Sequence, residues 1–229
     1  MRLLLFDIDG TLLTADGSSR GVIEQALSGL TGRSITTDDV SFSGKTDPAI
    51  MREILTSNGI PPSMIEQVLP QALQTYAELA RSTIRQDTVR LLEGVSNLLG
   101  ELEQEASVAL SLLTGNLEST AKLKLEAGGI AHYFRGGAYG SDHANRNRLP
   151  EVARHRAQQS FERRFAASDI TVIGDTPRDI ACGRAAGCFT VAVATGRFSA
   201  SELQTHQPDL LFHNLKEVRV VADALMKNP

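Results

Sequence analysis

An α/β fold is what this sequence predicts: a parallel sheet with helices on both faces, interrupted by a small all-helical insertion. Three observations carry that expectation. From about residue 94 onward, short apolar runs alternate with amphipathic helical segments, the rhythm of strand–helix–strand units in a parallel sheet. The first apolar run, Leu3-Leu4-Leu5-Phe6, ends abruptly at Asp7. A buried strand is favourable only if its polar groups sit at its end, and the carboxyl edge of such a sheet is where ligands bind. Finally, residues 18–86 carry helical periodicity and no strand pattern, so they break the alternation.

Taken in order, the strand at residues 3–6 runs into a loop. Val22, Ile23, Ala26, Leu27 and Leu30 then mark a helix over 18–30, with Ser18 or Ser19 as its cap. Asp47 as N-cap and Pro48 at the first helical position open a second helix carrying Ile50, Met51, Ile54 and Leu55. Asn58-Gly59 stops it, and Pro61-Pro62-Ser63 opens a third with Ile65, Val68, Leu69, Leu73 and Tyr76. Residues 94–102 read as a helix, 108–113 as a strand, and 117–127 as a helix ended by Gly128-Gly129. A short glycine-weakened strand over 134–139 precedes a helix over 149–165. Residues 170–173 form a β-branched strand, followed by a helix over 177–186, a strand over 189–193, a short helix over 200–205, a weak strand over 210–212 and a last helix over 215–226. Residues 1–14 and 88–229 therefore make the parallel-sheet core, and residues 15–87 the helical insertion.

Bulk properties narrow the function. With 41% hydrophobic and 22% charged residues, the 229-residue chain has the composition of an ordinary soluble globular protein. Its formal net charge of -4 argues against non-specific nucleic-acid binding, which depends on a basic surface. No stretch approaches the roughly 20 apolar residues of a membrane span, and the apolar run before Asp7 is too short for a secretory signal. The expectation is a cytoplasmic protein acting as a monomer or homodimer, without membrane or nucleic-acid partners. Cys182 and Cys188, the two cysteines, read as reduced core thiols, since two residues make neither a disulfide framework nor a metal-ligand spacing.

Three predicted strand ends carry chemically useful residues: Asp7-Ile8-Asp9-Gly10-Thr11, Leu113-Thr114-Gly115-Asn116, and Gly174-Asp175-Thr176-Pro177-Arg178-Asp179. In a parallel sheet these ends point the same way and converge on one pocket. Several close carboxylates repel one another, and a hard divalent cation such as Mg²⁺ relieves that repulsion while leaving positions for phosphate oxygens. One carboxylate can attack phosphorus as a nucleophile, and another can protonate the leaving oxygen. Thr114 and the N–H groups that follow it at Gly115 and Asn116 can hold phosphoryl oxygens. A cation is also needed between the second and third strand ends, where Arg146 and Arg148 are available and no lysine occurs between Lys124 and Lys216.

These motifs resemble those of the haloacid dehalogenase superfamily of phosphohydrolases, over nearly the whole chain. The family's D-x-D-G-T is matched by Asp7-Ile8-Asp9-Gly10-Thr11, its Thr or Ser after an apolar strand by Thr114, and its G-D-x-x-x-D by Gly174-Asp175 through Asp179. The resemblance implies a Rossmann-like core and makes the insertion similar to a C1-type cap, as in phosphoglycolate phosphatase-like and β-phosphoglucomutase-like members. It implies Asp7 as nucleophile and Mg²⁺ ligand, Asp9 as general acid/base with its backbone carbonyl on the metal, Asp175 as a direct metal ligand, and Asp179 as supporting the metal directly or through water. The substrate would be a small phosphorylated metabolite, hydrolysed through an aspartyl-phosphate. A phosphosugar mutase shares these motifs, and a non-catalytic member binding a phosphorylated ligand is the alternative from another class. Dehalogenases of the family lack an acid at the position of Asp9.

The third family motif, usually a lysine before a helix, has no lysine here. Arg146-Asn147-Arg148-Leu149-Pro150 stands in its region, and counting back from the helix favours Arg146 with Arg148 as competitor. Arginine keeps the charge but presents a planar fork in place of a compact ammonium. Gly44-Lys45-Thr46 has the look of a P-loop tail, but Asp39 stands where that motif needs its first glycine. Lys45 is kept as a substrate-contact candidate from the insertion, and His143 as a surface-loop residue.

Overall fold

The computed structural model describes residues 1–15 and 19–227; the cap reading of Ser18 lies outside them. Six parallel strands form the main sheet: β1 (Arg2–Phe6), β4 (Val108–Leu113), β5 (Gly137–Ala138), β6 (Ile170–Gly174), β7 (Phe189–Val193) and β8 (Leu210–Phe212). Their spatial order is β5-β4-β1-β6-β7-β8, which puts β1 in the centre. That placement explains its sequence. Leu3 and Leu5 face one side and Leu4 and Phe6 the other, and all four are fully buried, so a central parallel strand reads as an unbroken apolar run.

Each face of the sheet has its own apolar layer. Leu4, Phe6, Leu110, Leu112 and Ile173 pack with α4 (Val95–Glu103), α5 (Glu118–Ala127) and α9 (Val218–Lys227) through Leu98, Leu99, Leu102, Ala121, Leu125, Val221 and Leu225. On the opposite face Leu3, Leu5, Leu113 and Val172 meet Leu149, Ala153 and Ala157 of α6 (Leu149–Ser160) and Cys182 of α7 (Pro177–Ala185). A short helix, α8 (Ala200–Thr205), inserts Leu203 against Ile180 and Ala192 near the β7–β8 edge. Cys182 and Cys188 are free and buried, and burial pushes their thiols up to about 12 and about 11. Among the described residues no helix is long and apolar enough to cross a membrane.

The remaining helices, α1 (Ser19–Thr31), α2 (Asp47–Ser57) and α3 (Pro62–Thr83), pack around a separate apolar cluster that includes Ile23, Leu27, Met51, Ile54, Leu55, Ile65 and Tyr76. A two-stranded antiparallel pair, β2 (Leu13–Ala15) and β3 (Val89–Leu91), brings the chain's departure and return together, with Leu13 opposite Leu91 and Ala15 opposite Val89. These two strands correct the reading of a plain loop there. Three residues each are too short for a visible alternation, and their pairing partner lies more than 70 positions away.

Other boundaries also differ from the sequence expectation. Thr46, not Asp47, is the N-cap of α2, its side chain accepting from Ala49 N–H, and this frees the Asp47 carboxylate for a partner outside its helix. The strand expected over 134–139 shrinks to β5, where Gly137 lies hard against Leu112. Helix α6 ends at Ser160, leaving Phe165 to bury itself from the following loop. The last helix starts at Val218 because Leu215 is used as a buried loop residue.

Candidate active site

Register builds the site. Phe6 stands opposite both Leu112 of β4 and Ile173 of β6, so Asp7, Thr114 and Asp175 emerge at nearly one level on the carboxyl edge of three adjacent strands. The Asp7 N–H continues the ladder to Ile173 O at 2.9 Å, and the Thr114 N–H bonds Ala138 O at 3.0 Å. The turn after β1 reverses through Gly10, at φ 82°. A β-carbon there would lie 2.5 Å from an Asp175 oxygen, so glycine serves both the left-handed turn and the close approach.

Asp7, Asp175 and Asp179 offer carboxylate oxygens within 4.8 Å of one another, and all three residues are buried. One cation enters this cluster. Arg146 Nη2 lies 3.0 Å from Asp7 Oδ1, donates to Asp179 Oδ1, and reaches Leu113 O at 3.2 Å. Arg146 is itself buried, on a short turn before α6 that Asn145 caps. Its Nε has no hydrogen-bond partner among the described residues. Burial works against this cation, but Asp179 and Asp7 outweigh it and hold the guanidinium above its ordinary value. Burial pushes Asp7 up against the pull of Arg146, with Asp179 and Asp9 adding to the rise. Asp175 is pushed up by burial and then by Asp179 and Asp7, a Thr11 hydroxyl bond opposing. Three carboxylates facing one guanidinium repel one another, and oxygen donors of this kind suit a hard divalent cation. The residues present fit such an ion.

Asp179 has a second task. It is the third residue of α7 in a capping box with Thr176, accepting from Thr176 N–H at 3.0 Å and from its hydroxyl at 2.6 Å. The motif aspartate thus ties the helix start, the cluster and Arg146 together.

Asp9 stands apart from the three. Its side chain is 45% exposed toward the pocket and is held from behind by Lys124 of α5, whose side chain is only 4% exposed. Lys124 Nζ lies 2.7 Å from each Asp9 oxygen and 2.7 Å from Asn116 Oδ1. Asn116 Nδ2 donates to Asp9 Oδ2 at 2.6 Å and to Thr114 Oγ1 at 2.8 Å. Thr114 is fully buried at the end of β4.

The loop before α2 closes one side. Asp47 N–H bonds Gly115 O at 2.8 Å, Asp47 Oδ2 accepts from Leu117 N–H at 2.8 Å, and Thr46 Oγ1 donates to Ala144 O at 2.7 Å. The fit is tight at Gly115, where a β-carbon would lie 2.0 Å from Lys45 O. Burial raises the Asp47 carboxyl to about 6 against the pull of Lys124 and the Leu117 N–H. A cavity of about 330 Å³ lies between this loop and the strand ends, lined by the carboxylates and Arg146 below and by Phe42, Lys45, Ile50 and Tyr76 above. Lys45 reaches this cavity while paired with Glu53.

Of the residues singled out from sequence, Asp7, Asp9, Lys45, Thr114, Gly115, Asn116, Arg146 and Asp175 line this cavity, and Asp179 lies directly beneath. Arg148 and His143 are exposed outside it. Sequence reasoning passed over Lys124 and Asp47. Lys124 had a legible signal, because it falls on the buried stripe of α5 with Thr120, Ala121 and Leu125, where a lysine has to find a carboxylate. Asp47 had none, because the Leu117 N–H that it accepts belongs to a segment 70 residues away.

Comparison with known proteins gives the chain's family and relatives of like fold. The model of a family described as haloacid dehalogenase-like hydrolase matches residues 4–193. A phosphoglycolate phosphatase of Vibrio cholerae serotype O1 is 26% identical over 219 residues, covering 92% of each chain. Among solved structures, CbbY from Rhodobacter sphaeroides in complex with phosphate superposes with a TM-score of 0.72 at 16% identity, covering 95% of this chain and 96% of that one. A predicted phosphoglycolate phosphatase from Haemophilus somnus 129PT superposes with a TM-score of 0.69 at 19% identity, covering 96% and 97%. At those identities the two structures show likeness of fold.

Proposed function

This chain belongs to the haloacid dehalogenase-like hydrolase family, and from that premise we propose that it is a phosphatase of small phosphorylated metabolites, working through an aspartyl-phosphate with Mg²⁺. The observation that carries the reading is the division of labour between Asp7 and Asp9. Asp7 is buried in the carboxylate cluster against Arg146, whereas Asp9 is turned to the open pocket.

Asp7 attacks phosphorus, forming the aspartyl O–P bond as the ester P–O bond breaks, and Asp9 gives its proton to the leaving oxygen. Asp9, now a carboxylate, takes a proton from water, whose oxygen forms the new P–O bond as the aspartyl bond breaks. Inorganic phosphate is released and Asp7 is regenerated. Thr114 and the Gly115 N–H hold phosphoryl oxygens, and Arg146 balances Asp7 and the phosphoryl charge. Asp7, Asp175, Asp179 and the Asp9 carbonyl would hold Mg²⁺, which supplies charge neutralisation at the phosphoryl oxygens. Helices α1–α3, as a cap over residues 15–87, would exclude bulk water and select the leaving group through Lys45 and its neighbours. The relatives named phosphoglycolate phosphatase support a small anionic phosphate ester as substrate.

The test is phosphate release from p-nitrophenyl phosphate and a panel of sugar and glycerol phosphates with Mg²⁺. Wild type should release phosphate and Asp7→Asn should lose activity by at least about 10³-fold while folding normally. Normal turnover by Asp7→Asn would sink the nucleophile assignment.

A further inference from the structure

The geometry points to Lys124 as a positioning residue for the proton-transferring Asp9, through a strut that also includes Asn116 and Thr114. This inference rests on the reading of Asp9 as the acid and base of a phosphatase. A buried ammonium is costly unless fully paired, and Lys124 spends all its close contacts on one catalytic carboxylate and the amide beside it. It does not touch the Asp7–Asp175–Asp179 cluster. Nζ sits 2.7 Å from both Asp9 oxygens, so the carboxylate can turn either oxygen to the pocket without losing its partner.

The strut solves a problem set by the turn after β1. Asp9 follows Asp7 by two residues and has 45% of its side chain exposed, so packing alone does not fix its position. Left unrestrained, it is free to swing toward Arg146 or toward an ion held by the other three carboxylates. Lys124 and Asn116 pull it to the opposite side, and the Asn116 bond to Thr114 Oγ1 keys that position to the residue placed to hold the phosphoryl group. Asp47, the further charge facing Lys124, is engaged by the Leu117 N–H and leaves the ammonium to Asp9. The result is a proton donor kept at a set distance from the transferring phosphoryl group (effective orientation of this kind is a large part of catalysis).

A positioning role through Asp9 has a signature that a scaffolding role lacks. Proton donation matters most when the leaving group is a poorly stabilised alkoxide and little when it is p-nitrophenolate. Lys124→Met, which keeps the aliphatic volume, should lower kcat/KM, which reports the leaving-group step and not the later hydrolysis common to all substrates, by about 10²-fold on the fastest alkyl phosphate of the panel. On p-nitrophenyl phosphate the loss should stay under about fivefold, and Asp9→Asn/Lys124→Met should be no slower than Asp9→Asn alone. Asn116→Ala, which leaves the buried charge in place, should show the same split more weakly, and it carries the test if the lysine variant fails to fold. Equal losses on both substrates would overturn the inference while the phosphatase reading stands. A wild type inactive on the whole panel would overturn both.

Discussion

Arg146 occupies the place where the family pattern leads one to expect a lysine, and its contacts say what the change brings. Its contacts to Asp7, Asp179 and the Leu113 carbonyl all run through the single nitrogen Nη2, much as a compact ammonium would make them, while Nε is left without a partner among the described residues. Arg146→Ala would leave two buried carboxylates uncompensated. We expect a loss of about 3 kcal/mol or more in urea denaturation and at least about 10²-fold in kcat, whereas Arg148→Ala, at an exposed position, should stay within about twofold of wild type. The reverse order would show that the pocket cation had been assigned wrongly. The choice between the two arginines was open in sequence because a two-residue step on a short turn swaps buried for exposed, and spacing alone does not mark where that turn ends. Lys124 was overlooked for a different reason. It lies before the region where the motif cation is expected, and although its place on the buried stripe of α5 was legible, its partner Asp9 lies 115 positions away.

At the scale of elements, the join between α2 and the β4 loop shows how a capping shift of one residue creates a new interaction. With Thr46 as cap, Asp47 is the first helical residue and its carboxylate turns to the Leu117 N–H. Burial raises that carboxyl from 3.8 to about 6. Between those two values the folded chain holds a proton that the unfolded chain has lost. Stability therefore falls as pH rises through this window, and the full cost, about 3 kcal/mol, is present above about pH 6. Asp47→Asn keeps an oxygen for Leu117 and removes the charge. It should stabilise the protein by about 1–3 kcal/mol at pH 8 and by little at pH 4, measured by urea denaturation. Destabilisation at pH 8 would mean that attraction to Lys124 outweighs burial. The main strands and helices were readable because their apolar periodicity is local, whereas β2, β3 and the early end of α6 depend on partners that periodicity does not report.

For the molecule as a whole, the parallel sheet gathers acidic residues that would not otherwise tolerate one another. Burial and mutual repulsion hold Asp7 and Asp175 above the usual carboxylate range, so a bound divalent cation should stabilise the fold by linkage, about 2.7 kcal/mol at a hundredfold excess over Kd. Mg²⁺ added to chelator-treated protein should raise Tm at pH 7.5, with a smaller rise at pH 5.5, where protons compete for the same oxygens. Asp175→Asn should abolish the rise, and an unchanged Tm in wild type would count against a metal at this cluster. The sequence by itself determined the α/β class, the central strand, the three chemistry-bearing strand ends and the identity of the acids, because each is written in local apolar runs that stop at a polar residue. Only the tertiary structure decided which arginine faces Asp7, that Asp9 is parted from the other acids by a buried lysine, and that Asp47 docks the helical insertion on the core. Those facts depend on register and on side chains meeting from distant parts of the chain, and pairings of that kind leave no periodic trace.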